Sequence, residues 1–200
     1  MNLLSNVVAA TLIVLTPSAS TALWNSQVVP QKSPDIVFPT ANSHCKELTY
    51  KKMTGKRTTL PPTGRARSKQ NVFDFSVNLP QVLSFKPEEH TLVTPQGSKI
   101  TILTVKPVHS TERDKTISSI NQLFRSSGSA DYVLRGPHAK GILWFRPQGS
   151  HHVRCSLWAI TGHDVFITLR SDDVGTSESA KEKVAEYMNE LAQSVEVKMK

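Results

Sequence analysis

The chain reads as an α+β protein: an antiparallel sheet of about six or seven strands flanked by two amphipathic helices, preceded by a signal peptide and a basic, mostly irregular arm. Three observations predict this. Beyond residue 70, short alternating or β-branched runs are separated by Pro/Gly turns at hairpin spacing. Two stretches, one in the middle of that region and one closing it, carry apolar residues at helical spacing. Positive charge and proline gather upstream, where neither period persists.

The leader is residues 1–22, which hold no charged side chain. An apolar run over 7–15 is too short for a bilayer, which needs roughly 20 residues. It suits the core of a secretory signal, and Ser20, Thr21 and Ala22 supply small residues for cleavage near Ala22. The segment before it departs from that pattern, since Met1 to Ser5 lacks Lys and Arg; a buried helix or an uncleaved anchor is the alternative. The first cysteine is Cys45, far from the cleavage region, so a lipid anchor there is not expected. The sequence therefore predicts a secreted or periplasmic protein with no transmembrane helix after cleavage.

Residues 23–70 form the arm. Between Lys46 and Lys69 stand eight basic residues and one acidic, Glu47, whereas 70–200 hold fifteen basic and fourteen acidic. Nearly all of the chain's net charge of +8 thus belongs to one short segment. Pro30, Pro34, Pro39, Pro61 and Pro62 interrupt hydrogen bonding; a short helical or extended piece is open around His44 to Met53, and 54–65 beyond it reads as linker. Lys51, Lys52, Lys56, Arg57, Arg65, Arg67 and Lys69 are candidate contacts for an anionic partner such as acidic lipid or a polyanion. A solvated linker is the alternative. No aromatic residues interleave with the charges, so nucleic acid is not an expected partner.

The domain proper is placed at 71–200. Phe73, Phe75, Val77 and Leu79 alternate with polar residues and end at Pro80, a half-buried strand. Strands are predicted at 91–94 and 99–106, with the turn Pro95-Gln96-Gly97-Ser98 between them making a hairpin. The second is apolar on both faces and belongs inside the sheet. A helix then starts near Asp114, with Ile117, Ile120, Leu123 and Phe124 on one face and Gly128 at its exit. Strands follow at 131–135, 141–146, 151–161 and 164–170. The closing helix, 177–195, aligns Val184, Tyr187, Met188, Leu191 and Val195; Ser179 and Glu182 have capping-box spacing, and Glu190 belongs to the charged remainder.

This order, opened by Phe73-Asp74-Phe75-Ser76-Val77-Asn78-Leu79-Pro80 and closed by a strand at 164–170 and an amphipathic helix, resembles the PsbP-like group over residues 72–195. The resemblance rests on element order and edge patterns, without a diagnostic motif. It implies an antiparallel sheet flanked by helices and a non-enzymatic binding or assembly role, and transfers no site residue.

Cys45 and Cys155 are the only cysteines of a chain read as exported, which favours a disulfide; the alternative is a buried free thiol at Cys155, which shares its strand face with Val153, Leu157 and Ala159. Adjacent His151 and His152 point to opposite faces of a strand, and no ligand spacing points to a metal. Ser150-His151 and His163-Asp164 are neighbours without a nucleophile elbow, and no glycine loop cradles phosphate, so neither catalytic residues nor cofactors are expected. Trp144 and Trp158, on neighbouring strands with Phe145 and Phe166 nearby, are either core or outward anchors for a protein partner. The leading expectation is an exported binding or assembly protein that contacts another envelope or secreted protein. Next come an anionic-surface binder acting through 46–69, and a small-ligand binder or hydrolase.

Overall fold

The computed structural model describes residues 45–60, 73–108, 110–127, 130–162 and 164–199. The leader, the arm residues Arg65, Arg67 and Lys69, the exit residue Gly128, and His44 and His163 lie outside the described residues. The first strands are β1 (Lys46–Leu48), β2 (Gly55–Leu60), β3 (Phe73–Pro80), β4 (Ser84–Lys86), β5 (Thr91–Val93) and β6 (Lys99–Pro107). Helix α1 (Ser110–Ser127) leads to β7 (Tyr132–Arg135), β8 (Ala139–Gln148), β9 (His152–Thr161) and β10 (Val165–Gly175). Helix α2 (Glu178–Gln193) and β11 (Glu196–Met199) close the chain.

The α+β expectation holds, with two sheets where one was expected. The larger has eight strands in the order β1-β7-β8-β9-β10-β6-β5-β4, and it is mixed: β1 runs parallel to β7, while every other pair is antiparallel. The smaller is antiparallel, β11-β3-β2. The β5–β6 hairpin forms as predicted; Gly97, at φ 83°, takes the left-handed position of its turn and donates its N–H to the Thr94 carbonyl at 2.9 Å. β6 is interior, between β10 and β5, which explains why 100–105 lacks a polar face.

Two strands come from the stretch read as arm and linker. Lys46–Leu48 pairs with β7 and Gly55–Leu60 with β3, partners 86 and about 20 positions away. Their exposed Lys46, Glu47, Lys56 and Arg57 mask the alternation, and only Leu48 and Leu60 are buried.

Helix α2 lies against the eight-stranded sheet on one side and β3 on the other. Its predicted stripe (Val184, Tyr187, Met188, Leu191) enters the core as expected. Because β3 covers a second face, Asn189, Glu190 and Gln193 are buried as well; Glu190 is 0% exposed, correcting its placement among the solvated charges. The cap differs too: the Ser177 hydroxyl, not Ser179, accepts from the Ala180 N–H at 3.3 Å.

A main core joins α2, the small sheet and one face of the large sheet (Leu134, Leu143, Leu157, Ile167 among them). On the opposite face a smaller cluster gathers Ile117 and Ile120 of α1 with Val133, Ile142 and Ile160.

Candidate functional site

Every second residue of a strand shares a face, so Ile142, Trp144 and Arg146 of β8 stand beside Ile160, Trp158, Ser156 and Arg154 of β9 and Phe166, Thr168 and Arg170 of β10. This is the α1 face. Trp144, Trp158 and Phe166 step diagonally across three strands. Successive ring centroids are 6.0 Å apart, inclined at 66° and 87°, the edge-to-face geometry that aromatic quadrupoles favour. All three are half-buried along one edge of the α1 cluster, so the two tryptophans are neither fully core nor fully outward.

Beyond that aromatic edge the face carries Ser156 and a group of arginines. At β10, two residues, Asp172 and Asp173, occupy the place opposite Arg154, an extra-residue bulge. It presents Asp172 to both neighbours: Arg154 Nε donates at 2.6 Å and Arg170 Nε lies 2.9 Å away. A second bulge places Leu103, 37% exposed, beside Thr104, the partner of Thr168. The sequence places Phe145 and Phe166 near the tryptophans; the register keeps Phe166 on their face, turns Phe145 into the main core, and adds Arg146, Arg154 and Arg170, which the sequence does not single out. Parity along the strands was the available signal, but the strand register that turns parity into adjacency was not.

The expected disulfide does not form; Cys45 and Cys155 are both free thiols. Cys45 adjoins β1 and Cys155 lies on β9, with β7 and β8 between, so at about 4.8 Å per strand they stand roughly 14 Å apart. They also belong to opposite faces: Cys45 packs with the α1 cluster and Cys155 with the main core. A bridge needs Cα atoms within about 7 Å. The alternative reading is the observed one: Cys155 is 0% exposed and its thiol lies 3.5 Å from Met188 Sδ. Burial, then the Asp131 charge, hold its pKa well above the ordinary thiol value. The same two causes, partly offset by Arg135, push Cys45 up to about 11, so neither sulfur is an activated nucleophile.

The candidate anionic contacts are divided by the fold. Arg57 is committed internally: its guanidinium donates to the Ser76 hydroxyl at 3.1 Å and the Ser194 carbonyl, and pairs with Glu196. It therefore does not belong to a free electrostatic arm. Lys56 is exposed on β2. Lys51 and Lys52 line a groove of about 520 Å³ between the 49–54 segment, the turn after β3 and α2. Lys52 also borders a neighbouring concavity of about 330 Å³, which reaches Tyr50, His138 and Glu190.

Buried amides hold that region together. Asn78 Nδ2 donates to the Met53 carbonyl at 3.0 Å and to Glu190 Oε1 at 2.7 Å. Asn189 Nδ2 donates to the Thr49 carbonyl at 3.4 Å. Gln193 Oε1 accepts the N–H groups of His138 and Ala139, and its Nε2 donates to the Ala139 carbonyl at 2.7 Å. Glu190 Oε2 is buried without a partner. Its charge adds to burial in raising the Tyr50 phenol above its ordinary value.

Among the described residues no three His, Cys, Asp or Glu side chains gather as a metal site, and no helix is long and apolar enough to cross a membrane. No protein-family model, curated protein or solved structure matches the chain.

Proposed function

We propose that the protein is an exported, non-enzymatic binding or assembly protein that contacts another envelope or secreted protein through the α1 face of its large sheet. The single observation carrying this reading is the half-buried Trp144–Trp158–Phe166 series bordered by Arg146, Arg154 and Arg170. Tryptophan and arginine are enriched at the energetic centres of protein interfaces, tryptophan through its large rigid ring and arginine through an apolar stem ending in five hydrogen-bond donors. The charge-free leader and the PsbP-like element order of 72–195 support the same reading. Pull-downs from envelope extract of the native source test it with paired baits. A protein retained by wild type and lost by Trp144→Ser/Trp158→Ser, with circular dichroism unchanged, is the expected result; identical retention by both baits would refute it.

A further inference from the structure

The groove at Lys51 and Lys52 lies on the α2 side of the large sheet, away from the aromatic series, and is independent of the function proposed above. We infer that it binds a small organic anion with an apolar body, of the class of a medium-chain carboxylate or alkyl phosphate. Its volume, about 520 Å³, falls within the range of small-ligand sites. Met53, Pro80, Val82 and Tyr187 supply apolar lining, and Val82 is left 53% exposed on the turn after β3. A wet, isolated valine of that exposure gains by being covered.

The polar lining is biased in sign. Lys51, Lys52 and Lys183 face a single carboxylate, Glu186, which Lys183 already engages at 3.2 Å while lying 5.9 Å from the Tyr187 ring centroid. Among the described residues neither Lys51 nor Lys52 has an ion-pair partner. Lysine stems cover apolar surface while their ammonium groups stay at the water boundary, which suits a ligand with a buried tail and a solvated anionic head. The wall is fixed in advance, since Asn189 holds the Thr49 carbonyl and Asn78 holds that of Met53. Less ordering is then left to be lost on binding. Carboxylate and phosphate heads meet these requirements equally; an ammonium head meets none.

Isothermal titration of the full-length protein with decanoate, decyl phosphate and decyltrimethylammonium, all below their micellar concentrations, tests the site. Both anions are expected to bind and the cation not. Lys51→Glu/Lys52→Glu should weaken the anions by about tenfold or more, and so should Val82→Asp. All three positions are exposed, and unchanged urea midpoints verify folding; should the charge reversal misfold, Lys51→Gln/Lys52→Gln provides the same reading. Equal binding of anions and cation, unaltered affinity in folded variants, or no anion binding up to about 1 mM would overturn the proposal. Phosphatidylglycerol vesicles separate a free ligand from a membrane surface: retention on vesicles without binding of either decyl anion overturns it too.

Discussion

Replacing Gln193 by alanine removes the group that closes the mouth of the β7–β8 hairpin. The His138 carbonyl accepts the Gly162 N–H beside β9 while its N–H turns to Gln193; Ala139 directs both its N–H and its carbonyl toward β7. There the chain is turning at Gly136, and the Gln193 carboxamide occupies the gap, bonding both groups at 2.9 and 2.7 Å. Ala139 is buried, so the variant strands two backbone groups, each worth about 1–3 kcal/mol. With the lost side-chain packing, the expected destabilisation is about 3–5 kcal/mol, a large share of the roughly 5–15 kcal/mol typical of a domain. With a urea slope of about 1–3 kcal/mol per molar, the midpoint should fall by more than about 1 M. A side chain at Gly136 would collide with the same carboxamide, its Cβ against Gln193 Cδ, Nε2 and Oε1. Gly136→Ala should therefore destabilise wild type and do so less in the Gln193→Ala background, with coupling of about 1 kcal/mol or more. A Gln193→Ala cost below about 0.5 kcal/mol, or strict additivity, refutes the reasoning.

Other consequences are as direct. Alkylation followed by mass spectrometry of the protein from its native source should find two free thiols, and a bridged species would contradict the register. Cys45 should be modified faster as pH rises from its ordinary 9.0 toward about 11, with Cys155 silent until unfolding. Because the folded pKa is raised, the stability contributed by Cys45 is complete below about pH 9 and is lost as pH rises through about 11. Arg57→Ala should cost about 1–2 kcal/mol in urea melts, and Lys56→Ala less than about 0.5, since only the arginine is engaged with Ser76, Ser194 and Glu196. Glu190→Gln keeps an acceptor for Asn78 and removes a buried charge, so it should stay within about 1 kcal/mol of wild type, while Glu190→Ala loses about 2–4; equal losses would contradict the assigned hydrogen bond.

Local signals carried the elements whose partners are close in sequence. The turn chemistry of Pro95–Ser98 located the β5–β6 hairpin, the both-sided apolar run at 100–105 located an interior strand, and a helical stripe located α2. What escaped depends on distant pairing. Lys46–Leu48 has no period of its own and becomes a strand because β7 offers an edge. The burial of Glu190 and Gln193 follows from β3 covering a helix that periodicity describes as one-sided. The same limit explains the disulfide: two cysteines in a chain read as exported suggest a bond, and the intervening β7 and β8, with the two thiols on opposite faces of the sheet, forbid it. At the candidate interface the tryptophans were legible as residue types, while their diagonal alignment with Phe166 needed the register.

The most direct measurement places a photo-crosslinking amino acid at Ser156, on the sheet face beside the tryptophans, and another at Glu186, on α2, in the source cells. Irradiation is expected to give a discrete adduct with a second polypeptide from position 156 and none from 186. No adduct at 156, or the same adduct from both positions, would contradict a binding role for this face.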